Sequence, residues 1–90
     1  MFKLFLTLFF LVLPDLTSTT PIARDHDWWI ARNAQLQSNV DRLGSQAKVI
    51  FVGDSITQGW EGNGAAIWQQ TFAPCNAINL GIGGDRTEHV

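Results

Sequence analysis

Two short, mostly apolar segments, the first rich in β-branched residues, constrain the fold of this chain more than any other feature. Lys48 to Val52 runs into Gly53, and Ala77 to Leu80 runs into a glycine-rich loop. The first segment is apolar at successive positions, which predicts a strand buried on both faces and internal in a parallel sheet. About 25 residues separate the two strands, enough for the helical crossover that parallel neighbours need. The order predicts a right-handed βαβ unit and the α/β fold class.

A helix is predicted before the first strand. Its apolar residues recur at helical spacing and form one stripe: Trp29, Leu36, Val40 and Leu43. Asp25 or Asp27 is predicted to cap the start of this helix. Gly44 is predicted to end it in a left-handed conformation.

Two further helices are predicted after the first strand. Ala65 to Phe72 follows a loop that contains several glycines, and Pro74 stops it. Asp85 is followed three residues later by Glu88, which is the spacing of a capping box. This pattern predicts a third helix that begins at Asp85.

The overall composition excludes several classes of protein. A chain of 90 residues allows at most one small domain, and a net charge of -2 gives no basic field for nucleic acid. The single cysteine, Cys75, excludes an internal disulfide and a cysteine-rich metal site. Cys75 is predicted to be a buried, inert thiol. The sequence leaves the oligomeric state open.

The first residues, 1–23, are predicted to be a signal peptide. Lys3 gives a positive start, the apolar run "LFLTLFFLVL" follows, and Pro14 ends it. This run is too short for the ~20 residues that span a membrane, and it is typical of a secretory h-region. We therefore expect no stable membrane span, a mature domain at 24–90, and export to the periplasm or the medium. A buried N-terminal helix is the alternative interpretation.

Two loops at the carboxyl ends of the predicted strands carry the candidate chemistry. Neighbouring parallel strands place such loops side by side, where sites form in open α/β sheets. Ser55 follows Gly53 and Asp54 at a strand-to-helix turn, where its hydroxyl can attack a carbonyl carbon. The backbone N–H groups of Ser55 and of Gly84 in "GIGGD" can hold a developing oxyanion. The residues alone leave two alternatives open, an ordinary N-cap serine and a phosphate-binding glycine loop.

Taken together, "FVGDSITQGW", "IWQQTFAP" and "NLGIGGDRTEHV" resemble the opening of the SGNH, or GDSL-type, hydrolases. The resemblance covers residues 46–90 and is strongest to the branch of platelet-activating-factor acetylhydrolase catalytic subunits and related bacterial esterases. It implies a three-layer α/β/α sandwich around a parallel sheet, no cofactor or metal, and hydrolysis of small acyl esters of lipids or carbohydrates. By the same resemblance, Ser55 is the nucleophile and a backbone oxyanion donor, and Gly84 is a second backbone donor.

Two further parts of the family pattern do not occur in these 90 residues. They are an Asn in a Gly-x-Asn-Asp-like block and a later Asp-x-x-His, and neither His26 nor His89 has the required spacing. We therefore expect a truncated, amino-terminal part of a hydrolase that is inactive by itself. The alternatives are a non-catalytic carbohydrate- or partner-binding protein on the same scaffold, and a nucleotide-binding α/β protein that uses "GIGGD" for phosphate.

Overall fold

The computed structural model describes residues 19–90. The predicted signal peptide therefore lies mostly outside the described residues. In chain order the elements are α1 (Asp27–Leu43), β1 (Val49–Gly53), α2 (Ser55–Gln58), α3 (Ala65–Ile67) and β2 (Ala77–Gly81). Short turns of other helix types complete the structure: 3-10 turns at Gly44–Gln46, Gly59–Glu61 and Ala73–Cys75, and a π-helical turn at Trp68–Phe72 that continues α3.

The two strands are neighbours and run parallel. Val49 pairs with Ala77 at one end, and Gly53 pairs with Gly81 at the other. The helical segments between residues 55 and 75 connect them. The predicted strand–helix–strand order, the parallel sheet and the α/β class are therefore confirmed.

Helix α1 packs its apolar stripe against the end of β2. Trp29 and Leu36 are buried together with Ile82, and Leu80 packs against this cluster. The helix ends at Gly44, as predicted, and this glycine has a positive φ of 50°, but its ψ of -132° is not that of the predicted left-handed helical conformation.

The start of α1 differs from the prediction. The N-cap residue is His26, and no side chain caps the helix. Asp27 is instead the first helical residue, where a carboxylate interacts favourably with the helix dipole without acting as a cap. The prediction that Asp25 or Asp27 caps α1 is therefore wrong.

An aromatic cluster packs on one face of the sheet. It consists of Phe51, Trp60, Trp68 and Phe72, with ring centroids 5.0 to 6.4 Å apart. Side chains alternate between the faces of a strand, so Ile50 and Val52 point away from this cluster. Ile50 and Val52 are 56% and 58% exposed. Helix α1 packs over β2, around Leu80, and leaves the β1 residues on that face largely uncovered. The prediction of burial on both faces is therefore wrong for β1.

Two further predictions about local structure are wrong. Residues 85–90 form a turn and not a helix. The Asp85 carboxylate is held by the Trp29 indole, so it does not cap a following helix. Cys75 is exposed. It ends the last 3-10 turn at the surface, directly before Asn76, which reverses the chain with a φ of 54°.

No helix within residues 19–90 has both the length and the apolar character needed to cross a membrane.

Candidate active site

Ser55 is the first residue of α2, directly beyond the carboxyl end of β1. The N-cap of α2 is Asp54, whose Oδ1 accepts a hydrogen bond from the Ile56 N–H at 3.0 Å. The interpretation of Ser55 as an ordinary N-cap serine is therefore wrong. Within the described part of the chain the Ser55 hydroxyl has no hydrogen-bond partner, so it is free to act on a substrate.

The glycine-rich loop lies against α2 beside Ser55. A Cβ built on Gly83 would lie 3.7 Å from the Ser55 Cβ. The Gly83 N–H donates to Gln58 Oε1 at 2.7 Å, whereas within residues 19–90 the N–H groups of Ser55 and Gly84 donate to no other group. Gly84 has a φ of 78°, a conformation that glycine adopts readily. The structure thus brings the two loops together and leaves two backbone donors unused.

The glycines that end the strands allow α2 to lie directly on the sheet. Gly53 and Gly81 pair in register, and the Gly53 carbonyl accepts a hydrogen bond from the Ile82 N–H at 3.1 Å. A Cβ on Gly81 would lie 2.7 Å from the Thr57 carbonyl carbon. A side chain here would displace α2 from the sheet, and Ser55 would move with it.

A buried amide ties α2 to β2. Asn79 is 7% exposed; its Nδ2 donates to the Thr57 carbonyl at 2.9 Å, and its Oδ1 accepts from the Gly81 N–H at 2.9 Å. Because both ends of the amide are paired, its burial carries no unsatisfied polar group. No role for Asn79 was predicted from the sequence, although an isolated amide in an otherwise apolar strand is a signal that indicates one.

Helix α1 contributes an arginine to the same end of the sheet. The Arg32 Nε and Nη2 atoms donate to the Gly81 carbonyl at 3.2 and 2.9 Å. The same guanidinium pairs with both carboxylate oxygens of Glu61 at 2.8 and 2.9 Å. No contact of Arg32 with the strands was predicted from the sequence. Arg32 fixes the last carbonyl of β2, directly before the glycine-rich loop.

A second arginine reaches this loop from the other side. The Asp85 side chain is 3% exposed and accepts hydrogen bonds from Trp29 Nε1 at 2.8 Å and Arg24 Nη1 at 3.3 Å. Arg24 Nη1 also donates to the Gly83 carbonyl at 3.4 Å. From the sequence, Trp29 was predicted to lie in the apolar stripe of α1, and Asp85 was predicted to cap a helix. Their contact was not predicted because the two residues lie 56 positions apart.

Neither of the two histidines within residues 19–90 is hydrogen-bonded to Ser55. His89 Nδ1 accepts a hydrogen bond from the Arg86 N–H at 3.0 Å, and its Nε2 lies 4.0 Å from a Glu88 carboxylate oxygen. The His26 side chain is 56% exposed and lies beside Asp25. Within residues 19–90 no imidazole is hydrogen-bonded to the serine, and no three His, Cys, Asp or Glu side chains converge as metal ligands.

A surface pocket of about 360 Å³ opens beside the serine. Its lining residues are Ser55, Ile56, Gly59, Trp60, Asn63 and Gly64. Ile56 is 84% exposed, and the Trp60 ring joins this pocket to the aromatic cluster behind it. The lining is mostly apolar, so it can receive a short acyl or alkyl group.

The fold and the site define an α/β protein with a serine and a glycine-rich loop at the carboxyl ends of two neighbouring parallel strands. No family model matches the chain. It is similar to platelet-activating factor acetylhydrolase IB subunit alpha1 of Rattus norvegicus and of Homo sapiens, each 42% identical over 50 residues, or 56% of this chain and 21% of the relative. Subunit alpha2 of Rattus norvegicus is 38% identical over 64 residues, or 71% of this chain and 26% of the relative. The chain therefore spans only about a quarter or less of the length of these curated relatives.

These relatives correct one prediction. The relatives that the chain matches are intracellular acetylhydrolase subunits and not secreted proteins, so the prediction of an exported protein is wrong. The apolar run on which that prediction depended lies outside the described residues. Ile22, which falls inside the predicted signal peptide, donates its N–H to the Glu88 carbonyl at 2.8 Å.

Proposed function

We propose that this chain carries the nucleophile-bearing part of an SGNH-type serine hydrolase that acts on small acyl esters of lipids or carbohydrates. The observation that carries the proposal is the position of the free Ser55 hydroxyl beside a loop whose Gly84 N–H is unused. The names of the relatives, which are acetylhydrolases, support the same class of reaction. In this proposal the βαβ unit belongs to a three-layer α/β/α sandwich.

The proposed reaction passes through an acyl-serine. Ser55 Oγ bonds to the ester carbonyl carbon, and the carbonyl oxygen becomes an oxyanion that accepts hydrogen bonds from the Ser55 and Gly84 N–H groups. The bond from the carbonyl carbon to the alcohol oxygen then breaks, and the alcohol leaves with a proton. Water attacks the acyl-serine in the same way and releases the acid. The mostly apolar pocket beside Ile56 and Trp60 receives the acyl or alkyl group.

The hydroxyl proton of the serine needs a base. Within residues 19–90 no side chain is hydrogen-bonded to Ser55 Oγ, so none is placed to accept this proton. We therefore expect these 90 residues to show no turnover of p-nitrophenyl acetate that depends on Ser55. Turnover by the purified chain that disappears in Ser55→Ala would show that a base is present after all.

A Ser55→Cys substitution tests the nucleophile and the oxyanion donors without a base. A thiol has a pKa of about 8.5, so at mildly alkaline pH much of it is already the attacking thiolate. The Ser55→Cys, Cys75→Ser double variant is acetylated with p-nitrophenyl acetate, and its rate per thiolate is compared with that of Cys75 in the wild-type chain. Cys75 is exposed and precedes β2, at the opposite end of that strand from the glycine-rich loop, so it reports the uncatalysed rate.

Removal of one oxyanion donor lowers the kcat of an enzyme by about 100-fold to 1000-fold. We therefore expect the thiol introduced at position 55 to be acetylated at least about tenfold faster than Cys75. Equal rates would contradict the proposal. They would favour a binding protein on this scaffold, in which the serine has no reactive role.

A further inference from the structure

We propose that Arg24 is a positioning residue: paired with Asp85, whose carboxylate the Trp29 indole binds, it fixes the peptide between Gly83 and Gly84 and so aims the Gly84 N–H at the reacting oxygen. This inference rests on the proposed function, since it concerns the donor that the proposed reaction uses. It adds to the site a residue that no sequence motif singled out.

The geometry of one peptide group carries the inference. The Gly83 carbonyl and the Gly84 N–H belong to the same planar trans peptide, so they point in opposite directions. Arg24 Nη1 donates to that carbonyl at 3.4 Å. Because Arg24 holds the oxygen end, the hydrogen end points away from Arg24. A cation on the carbonyl also polarises the peptide and strengthens its N–H as a donor.

Two side chains contact the guanidinium, and a third holds one of them in place. The Asp85 carboxylate pairs with Arg24 Nη1 at 3.3 Å, and the Trp29 indole holds the same carboxylate oxygen at 2.8 Å. The guanidinium carbon lies 4.8 Å from the centroid of the Trp28 ring. The Asp85 side chain is 3% exposed and that of Arg24 is 18% exposed, so water weakens this pair less than a surface ion pair.

Glycine at position 84 is part of the same arrangement. A Cβ at this position would lie 3.0 Å from Arg24 Nη1, and the φ of 78° would strain any L side chain. Glycine at this position therefore leaves room for the guanidinium beside the loop.

Two reactions of the same thiol separate positioning from folding. Acetylation of the position-55 thiol by p-nitrophenyl acetate builds an oxyanion on the carbonyl oxygen, whereas alkylation by iodoacetamide displaces iodide from carbon and builds none. In the Ser55→Cys, Cys75→Ser chain we add Arg24→Ala and measure both rates. We expect acetylation to fall about tenfold, since a displaced donor loses much of its effect, and alkylation to stay within about twofold. Arg24→Lys, which keeps a charged donor, should restore part of the acetylation rate.

The matched control is Arg86→Ala, since the Arg86 side chain belongs to the same loop and is 78% exposed. It should change neither rate. Folding is followed by the near-ultraviolet circular dichroism of the aromatic cluster on the other face of the sheet. If Arg24→Ala loses that signal, the test is repeated with Asp85→Asn, whose side chain has the same size as the original. The ratio of its acetylation rate to its alkylation rate is then interpreted in the same way.

The possible outcomes separate the two proposals. Fast acetylation at position 55 that Arg24→Ala or Asp85→Asn lowers selectively supports the inference. Fast acetylation that the folded variants leave unchanged overturns the inference and keeps the proposed function. Acetylation at position 55 no faster than that of Cys75 overturns both.

Discussion

The Gln58 side chain accepts a hydrogen bond from the Gly83 N–H at 2.7 Å, and this contact distinguishes the two glycines of the loop. The Gly83 donor is engaged by α2, the short helix that begins with Ser55. The Gly84 donor, one residue further, stays unused within the described residues. Gln58 therefore anchors the loop to the helix that carries the serine.

Removing the Gln58 acceptor should loosen this anchor. Gln58→Met keeps the length of the side chain and leaves the Gly83 N–H without its partner, so we expect a loss of about 1 to 2 kcal/mol in the free energy of unfolding. Urea denaturation followed by tryptophan fluorescence measures it. Gln70→Met, on an exposed position of the π-helical turn, is the control and should change stability by less than about 0.5 kcal/mol. Equal effects of the two substitutions would show that the anchor contributes nothing.

The contact of α2 with the sheet should tolerate no Cβ at the end of β2. Gly81→Ala would place a methyl group 2.7 Å from the Thr57 carbonyl carbon, which is backbone and cannot turn aside. We expect this overpacking to destabilise the fold by about 2 to 3 kcal/mol. Gly59→Ala is the matched control, since a Cβ there meets nothing within 4 Å. Thermal unfolding compares them, and a Gly81→Ala chain as stable as Gly59→Ala would contradict the packing described.

The buried amide of Asn79 should be needed for stability. Asn79→Leu leaves the Gly81 N–H without its partner. It also removes one of two hydrogen bonds to the Thr57 carbonyl, which also accepts from the Gly59 N–H. We expect a loss of about 1 to 3 kcal/mol in the free energy of unfolding, because a buried donor loses its partner. Asn63→Leu, on an exposed loop position, is the control. If both leucine variants unfold at the same urea concentration, the amide has no such role.

Arg32 should stabilise the fold, and high salt should remove only part of this stabilisation. Two of its hydrogen bonds go to the Gly81 carbonyl, two go to the half-exposed Glu61 carboxylate, and one of 3.5 Å goes to Gln35 Oε1. We expect Arg32→Ala to lower the free energy of unfolding by about 1 to 2 kcal/mol, with roughly half of the loss remaining at about 1 M salt, where exposed pairs are screened. The control is Arg42→Ala in the last turn of α1. A loss that vanishes completely at high salt would show that only the ion pair matters.

Local sequence patterns predicted the elements that depend on local chemistry. The strands, α1 with its buried Trp29 and Leu36, and the glycine end of α1 were all predicted, because each follows from apolar spacing or from a backbone preference. Asp85 shows where this reasoning failed. Its spacing to Glu88 favours a capping box, but a tryptophan that is distant in sequence binds its carboxylate instead.

The candidate site was predictable only in part, for the same reason. Ser55 and Gly84 follow from the order of strands and loops, because parallel strands bring their carboxyl ends together. The side chains that hold the loops, Gln58, Asn79 and Arg24, act across 25, 22 and 59 positions of sequence. No local pattern predicts such contacts. The exposure of Ile50 and Val52 also depends on which elements cover β1, and strand composition alone does not specify that.

The central claim, that Ser55 stands at a site built to hold an oxyanion, is tested most directly within a single molecule. The Ser55→Cys chain retains Cys75, so limiting p-nitrophenyl acetate offers one acetyl group to two thiols under identical conditions. Peptide mass spectrometry then counts the acetyl groups at each position, and iodoacetamide labelling of a parallel sample corrects for the thiolate fraction of each cysteine. The proposed site predicts at least about ten acetyl groups at position 55 for each one at Cys75. An even distribution between the two thiols would contradict it.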